Sequence, residues 1–228
     1  MLFDYYYYLS LSFKIRSMDR LTRDYDLFIF DWDGTLSTST FLVKFTHFFK
    51  KRYNIEYVLN HKKEYNRSFK RVNISKSSSI SRFVDFFYEI YAHFIRPKPR
   101  VDSKMVLEYL KKRKKTIALL SDGKQSRVFK ELKMLGMQEY FDIVVCAGAL
   151  GYFKPNPTGL NLIVRELKKS KKRSIYIGDM ATDVLTAKFA GITSCSVCGG
   201  VDPCELIKRA KPDYSFTSLR DFLKAIKK

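Results

Sequence analysis

Asp31 and Asp33 stand two residues apart, directly after the apolar run Leu27-Phe28-Ile29-Phe30. An apolar run of this length that is closed by a glycine is typical of a core strand opening into a loop. Parallel α/β sheets bind ligands outside the carboxyl ends of their strands, so a pair of carboxylates there is well placed for chemistry. Residues i and i+2 of an extended chain share a face, so both carboxylates could approach one ligand. The alternative is a solvated Asx turn, which Asp-x-Asp-Gly often forms.

Three later connections carry polar side chains at matching positions. Ser121 ends one apolar run, Asp179 and Asp183 follow another, and Lys154 precedes a helical pattern. Taken singly, each has an ordinary explanation as a helix cap or a solvated turn. Their ordered occurrence at the same end of successive strands favours a single site.

Phosphoryl transfer is the chemistry that suits this set. A carboxylate can be the nucleophile and form an aspartyl-phosphate, and a second carboxylate can exchange protons with the leaving alcohol and with water. Mg²⁺ takes oxygen ligands and needs only one or two carboxylates besides the substrate phosphate. A hydroxyl and an ammonium can then neutralise and orient the remaining phosphoryl oxygens.

From residue 102 onward, helical and strand patterns alternate, which predicts a parallel sheet covered by helices on both faces. The predicted strands cover 27–30, 116–120, 143–146, 174–177, 194–197 and 214–216, and the predicted helices cover 104–114, 125–135, 157–169, 183–190, 205–210 and 219–226.

The segment 37–99 interrupts this alternation. It is rich in Phe and Tyr with apolar residues at helical spacing, and it ends at Pro97-Lys98-Pro99. We expect a small helical cap inserted after the first strand. The catalytic core is then predicted over 21–36 and 100–228, and residues 1–20 are expected to be an extension outside the fold.

With these motifs in order, the chain resembles the haloacid dehalogenase-like (HAD) hydrolases, specifically phosphatases with an inserted helical cap, over about residues 26–218. The resemblance implies a Rossmann-like parallel sheet and a bound Mg²⁺. It also implies that Asp31 is the nucleophile and that Asp33 is the general acid/base, whose backbone carbonyl touches the metal. The other implied roles are phosphoryl binding by Ser121, charge stabilisation by Lys154, substrate contacts from Gly34 and Thr35, and metal binding by Asp31, Asp179 and Asp183.

Asp33 discriminates within this superfamily. The dehalogenase branch lacks an acid at that position, because a halide leaving group needs no proton, so Asp33 indicates phosphate esters or anhydrides. Trp32 occupies a position that varies, and Asp122 and Gly123 are assigned only loop geometry. The layout resembles phosphoglycolate phosphatases, so a small phosphorylated metabolite is the expected substrate. A pyrophosphatase and a phosphomutase remain the alternatives.

The net charge of +20, from 43 Lys and Arg against 23 Asp and Glu, is unusual. Because the positive residues are dispersed along the chain, we favour a surface bias or the steering of anionic substrates over a nucleic-acid groove. A nucleic-acid-binding protein on the same fold is the minor alternative.

The sequence contains no run near the ~20 apolar residues that span a bilayer, so we expect a cytoplasmic monomer or homodimer without a membrane partner. Cys195 and Cys198 have the spacing of half a zinc site, but the chain offers no second pair at such spacing. Reduced structural thiols are therefore favoured over a disulfide or a zinc site.

Overall fold

The computed structural model describes residues 21–38 and 98–227. Six strands form one sheet in the order β3-β2-β1-β4-β5-β6, and every neighbouring pair is parallel. The strand that precedes Asp31 therefore lies in the interior of the sheet. The strands are β1 Leu27–Phe30, β2 Thr116–Ser121, β3 Ile143–Cys146, β4 Ser174–Gly178, β5 Thr193–Val197 and β6 Tyr214–Phe216.

Helices connect the strands, as the alternating pattern predicts. They are α1 Leu21–Asp24, α2 Ser103–Lys112, α3 Gln125–Met134, α4 Ala147–Leu150, α5 Thr158–Glu166, α6 Ala181–Ala190, α7 Cys204–Arg209 and α8 Leu219–Lys227. Two single 3₁₀ turns, Gln138–Tyr140 and Lys171–Arg173, complete the described elements. The parallel α/β sheet predicted from the sequence is confirmed.

The sheet is buried on both faces, which explains the uninterrupted apolar runs of β1 and β3. In β1, Phe28 and Phe30 pack into one hydrophobic cluster, while Leu27 and Ile29 pack into a second one. All four side chains are fully buried. Because β1 is fixed from both sides, the position at which it ends, and hence the position of Asp31, is well determined.

The chain leaves and re-enters the described structure at one place. Ser37 and Pro99 form an antiparallel bridge, and the Thr38 N–H donates to the Lys98 carbonyl at 2.9 Å. The Arg100 N–H donates to the Leu36 carbonyl at 2.9 Å. The predicted helical cap falls almost wholly on residues 39–97, outside the described residues, as does the predicted extension over 1–20, and both stay predictions.

Strand register brings the ends of three strands together. Phe30, the last residue of β1, lies opposite Leu119 of β2 and Ile177 of β4. The Asp31 N–H continues the ladder by donating to the Ile177 carbonyl at 2.9 Å. The residues that follow β1, β2 and β4 consequently meet at the carboxyl edge of the sheet.

Candidate active site

Three carboxylates from two strand ends form the centre of this edge. Asp31 follows β1, Asp179 follows β4, and Asp183 lies in the first turn of α6. One oxygen of each carboxylate lies within 4.8 Å of the others, and all three side chains are buried. Buried carboxylates this close repel each other unless a cation or a shared proton relieves them, so the group has the character of a cation site.

Lys154 supplies one positive charge to this group. Its Nζ lies 2.7 Å from Asp31 Oδ1 and 2.7 Å from Asp183 Oδ1, and its side chain is only 4% exposed. Burial alone lowers the pKa of such an ammonium, but the attraction of Asp183 and Asp31 outweighs it and raises the Lys154 pKa well above its ordinary value. Lys154 is therefore held as a buried cation against Asp31 and Asp183.

The pKa values of the carboxylates show that one ammonium does not neutralise the group. Burial raises the pKa of Asp31 well above its ordinary value, although Lys154 opposes this. Burial and repulsion from Asp183 raise the pKa of Asp179 to about 7, against hydrogen bonds from Thr35 and Val201. A second cation beside these carboxylates would oppose both shifts.

Ser121 and the loop after it complete the site from β2. The Ser121 side chain is buried, and its Oγ accepts a hydrogen bond from the Gly123 N–H at 3.0 Å. Asp122 Oδ1 accepts from the Lys154 N–H at 3.1 Å, which ties the loop after β2 to the loop that carries Lys154. From the sequence, Asp122 is predicted only to lie in a loop, and its contact with Lys154 is seen only in the structure.

Gly34 and Thr35, whose contact with substrate stays a prediction, lie against the carboxylates. The Thr35 hydroxyl donates to Asp179 Oδ1 at 2.5 Å and lies 3.5 Å from Asp31 Oδ2. Gly34 has φ +86°, and a Cβ there would lie 2.3 Å from Asp179 Oδ2. A side chain at position 34 would therefore collide with the cluster, which explains the glycine.

Four residues that the sequence analysis missed orient the two carboxylates after β4. The Val201 N–H donates to Asp179 Oδ2 at 2.5 Å, and a Cβ on Gly200 would lie 2.0 Å from the same oxygen. The Tyr176 hydroxyl donates to Asp183 Oδ1 at 3.0 Å, and the Met180 N–H donates to Asp183 Oδ2 at 2.9 Å. The Gly199-Gly200 pair marks a loop in the sequence, but no local pattern indicates that this loop contacts Asp179.

That Asp31 and Asp33 approach one ligand stays a prediction, and the Asp33 side chain is paired with Arg127 of helix α3. Its Oδ1 and Oδ2 accept from Arg127 Nη1 at 2.9 Å and Nη2 at 2.6 Å. The extended geometry behind the expectation ends early, because the N–H groups of residues 35, 36 and 37 all donate to the Trp32 carbonyl. Trp32, assigned no role from the sequence, is fully buried, and its indole N–H donates to Glu131 Oε2 at 2.6 Å.

Arg100 ties the re-entry of the chain to this edge. Its guanidinium donates to the Gly34 carbonyl at 2.5 Å and to the Cys198 carbonyl. Cys198 is paired with Cys204 in a disulfide, with 5.5 Å between the Cα atoms, while Cys146 and Cys195 are buried free thiols. The predicted preference for reduced thiols is therefore wrong for Cys198 and Cys204. Cys198 is paired with Cys204 and not with Cys195, which is closer to it in sequence.

Comparisons with known proteins agree with this geometry. The chain is 29% identical over 107 residues to pyrophosphatase PpaX of Halalkalibacterium halodurans, covering 47% of this chain and 50% of that protein. It is 29% identical over 144 residues to phosphoglycolate phosphatase of Vibrio parahaemolyticus, covering 63% and 62%. A PpaX relative from Caldanaerobacter subterraneus is 32% identical over 130 residues, which is 59% of that relative. The chain thus spans half to three fifths of the length of these curated relatives.

Solved structures match the fold over a longer stretch. A HAD family hydrolase from Deinococcus radiodurans with bound phosphate and sodium superposes with a TM-score of 0.64 at 14% identity, covering 89% of this chain and 98% of the other. CbbY from Rhodobacter sphaeroides, in complex with xylulose-1,5-bisphosphate, gives a TM-score of 0.62 at 17% identity, with 88% and 96% covered. No described helix is long and apolar enough to cross a membrane.

The family model described as haloacid dehalogenase-like hydrolase matches residues 28–197, a range that begins in β1, ends with β5 and contains every site residue predicted from the sequence. The chain belongs to the haloacid dehalogenase-like hydrolase family.

Proposed function

We propose that this protein is a Mg²⁺-dependent phosphatase that hydrolyses a small phosphate monoester through an aspartyl-phosphate on Asp31. One observation carries the proposal: the buried Asp31 carboxylate contacts the Lys154 ammonium and, together with Asp179 and Asp183, forms an acidic group that suits a metal ion. An ammonium at 2.7 Å can stabilise the charge that develops when a carboxylate attacks phosphorus. A solvated turn would not bury this set together.

The residues present fit a magnesium ion. Three buried carboxylates face one ammonium, so the group lacks positive charge, and hard oxygen donors are what Mg²⁺ prefers. Glycines at positions 34 and 200 leave room where side chains would collide with Asp179. We assign the metal to Asp31, Asp179 and Asp183, with the Asp33 backbone carbonyl as a further ligand. When bound, the metal would neutralise phosphoryl oxygens and so favour nucleophilic attack.

In the first half-reaction, an oxygen of the Asp31 carboxylate attacks the substrate phosphorus. The bond between phosphorus and the ester oxygen breaks, and the leaving oxygen takes its proton from the Asp33 carboxylic acid. The products are the free alcohol and an aspartyl-phosphate. Lys154 and the Ser121 hydroxyl hold the transferring group, and Thr35 keeps the Asp179 carboxylate in place.

In the second half-reaction, Asp33 acts as a base. Its carboxylate takes a proton from a water molecule as the water oxygen attacks the phosphorus of the aspartyl-phosphate. The bond from phosphorus to Asp31 breaks, inorganic phosphate leaves, and the Asp31 carboxylate is regenerated. Asp33 is returned to the acid form, so the cycle is balanced in protons.

Among substrates, we propose a small phosphorylated metabolite, with phosphoglycolate first. Support comes from the relative named phosphoglycolate phosphatase. Pyrophosphate is the second candidate, because both PpaX relatives carry the word pyrophosphatase in their names. We further propose that residues 37–99 form a cap over this edge, since residues 38 and 98, where the chain leaves and returns, are hydrogen-bonded to each other.

Phosphate release is the direct test. With Mg²⁺, the protein should release phosphate from p-nitrophenyl phosphate, and EDTA or Asp31→Asn should abolish the release. Asp24→Asn is the matched control, because it neutralises an exposed carboxylate in α1 and should leave the rate unchanged. Acid-quenched protein should carry the mass of one phosphoryl group, located on the peptide that contains Asp31. Release that survives Asp31→Asn would refute the mechanism.

A panel of phosphoglycolate, pyrophosphate and hexose phosphates then separates the candidate substrates. Conversion of one hexose phosphate into another with little free phosphate would identify a phosphomutase. Salt-sensitive binding to DNA or RNA that is unchanged by Asp31→Asn, in a protein that releases no phosphate, would identify the nucleic-acid alternative.

A further inference from the structure

A closed set of contacts joins the Asp33 loop to helix α3. Arg127 donates to both oxygens of Asp33 and, through Nη1, to Glu131 Oε1 at 3.0 Å. Glu131 Oε2 in turn accepts from the indole N–H of Trp32 at 2.6 Å. Because Trp32 and Asp33 are adjacent in the chain, these contacts close into a ring that includes Asp33, the general acid of the proposed reaction.

The geometry of this ring restrains Asp33 more than a single ion pair would. Two parallel N–H···O bonds between a guanidinium and a carboxylate fix both the position and the rotation of the carboxylate plane. The side chains are partly sheltered, with 12% of Arg127, 18% of Asp33 and 15% of Glu131 exposed. Shelter reduces the screening by solvent that makes exposed pairs weak.

Arg127 is itself placed by rigid structure. Helix α3 begins shortly after Ser121, and its residues Val128 and Leu132 are fully buried in the core. Arg127 and Glu131 are one helical turn apart, which is the spacing at which side chains meet. Packing fixes the position of α3, and the ring in turn holds the loop after β1 in a fixed position relative to α3.

We propose that Arg127 is the positioning residue of Asp33 and that Glu131 and Trp32 hold Arg127 in place. This inference rests on the proposed function, in which Asp33 gives a proton to the leaving oxygen. Arg127 contributes no proton; it sets the orientation from which Asp33 delivers one. General acid catalysis depends on such placement, since the acid must lie within hydrogen-bond reach of the leaving oxygen.

The dependence of rate on the leaving group distinguishes positioning from a merely structural role. Phenyl phosphate and p-nitrophenyl phosphate have similar shapes, but p-nitrophenolate leaves readily without a proton, whereas phenolate needs one. Values of kcat/KM report the first half-reaction, in which the ester bond breaks, for both substrates. A general loss of folded protein would lower both values equally.

Arg127→Ala should lower kcat/KM for phenyl phosphate by about 10- to 100-fold, a share of the usual effect of a general acid, and lower that for p-nitrophenyl phosphate by less than about 3-fold. Asp33→Asn should show the same pattern with a larger loss. Arg127→Lys keeps the charge but cannot form the two parallel bonds, so it should fall between wild type and Arg127→Ala. Lys130→Ala is the matched control, since it removes an exposed cation from the same helix.

An equal loss on both substrates, or no loss on either, overturns the proposal. Should Arg127→Ala not fold, the ratio of the two kcat/KM values in Arg127→Lys decides: a change of about 3-fold or more supports positioning, and an unchanged ratio overturns it. The two proposals fail differently. Phosphate release by Asp31→Asn would refute the phosphatase mechanism. If Asp31→Asn releases no phosphate but the ratio of the two kcat/KM values is unchanged in the Arg127 variants, the positioning role alone is refuted.

Discussion

Replacing Lys154 by Met should destabilise the metal-free protein and make its stability depend on Mg²⁺. The side chain is 4% exposed, and its Nζ lies 2.7 Å from carboxylates of both Asp31 and Asp183. Methionine fills a similar volume but leaves those carboxylates, and Asp179 beside them, without the buried ammonium. Removing one partner of a buried ion pair costs about 3–5 kcal/mol. In a protein of this size, about 1 kcal/mol shifts Tm by about 2–4 °C, so the expected fall in EDTA is about 6–20 °C.

The sign of the pH dependence follows from the raised pKa values of Asp31 and Asp179. A carboxyl that takes up a proton no longer needs the ammonium, so the cost of Lys154→Met should be smaller at pH 5 than at pH 8. Saturating Mg²⁺ supplies positive charge to the same carboxylates and should recover a large part of the lost Tm. Differential scanning fluorimetry with EDTA or Mg²⁺, at both pH values, measures all three effects.

Lys111→Met is the matched control for this experiment. Its Nζ also lies 3.0 Å from a carboxylate, that of Asp142, but the Lys111 side chain is 32% exposed. Such pairs contribute about 0–1 kcal/mol, so the control should lose less than about 4 °C and show no response to Mg²⁺. Equal Tm values for Lys154→Met and Lys111→Met in EDTA at pH 8 would refute the reasoning from burial. A full loss in EDTA without recovery in Mg²⁺ would refute the assignment of the metal to these carboxylates.

Two further predictions concern Asp179. Gly200→Ala places a methyl group 2.0 Å from Asp179 Oδ2, so the Mg²⁺ concentration needed for half-maximal phosphate release should rise at least about tenfold. Gly136→Ala is the control: its methyl group meets no atom within 4 Å, so it should only lower stability, through the φ of +60°. An unchanged Mg²⁺ requirement in Gly200→Ala would show that Asp179 can move without loss. Because the Asp179 pKa is raised to about 7 and the Asp31 pKa is raised as well, Mg²⁺ must displace protons at low pH. Its apparent affinity should therefore rise from pH 5 to 7, by up to about tenfold per pH unit for each proton displaced. Calorimetric titration in buffers of different ionisation enthalpy measures the proton released, and an affinity that does not change with pH would contradict the raised pKa.

The sheet could be predicted closely because its strands obey local rules. Leu27–Phe30, Ile143–Cys146 and Tyr214–Phe216 have the predicted bounds, and the other three strands differ by one residue at one end. Strands buried on both faces are typically rich in apolar residues, as in β1 and β3, and the polar residues that follow such runs are equally visible in the sequence. The short helices α1 and α4, of four residues each, span too few residues to show a period, so they escaped prediction.

Among the candidate site residues, those at strand ends could be predicted because a parallel sheet places them on one edge whatever the details of packing. Gly200 and Val201 could not, since their contact with Asp179 depends on how the loop after β5 folds back. No local pattern in the sequence encodes that path.

Asp33 shows where sequence reasoning stops most clearly. Extended geometry would let the side chains of Asp31 and Asp33 share a face, but three N–H groups turn the chain around the Trp32 carbonyl, and the Asp33 side chain is paired with Arg127. The spacing of Arg127 and Glu131 is that of an ion pair on one helix face. The contact of Arg127 with Asp33, however, depends on which face of α3 meets the loop after β1. Regular backbone ends where the site begins, so the rules that locate Asp33 cannot orient it. Its orientation is set instead by tertiary contacts from α3, and the variants of Arg127 test that dependence.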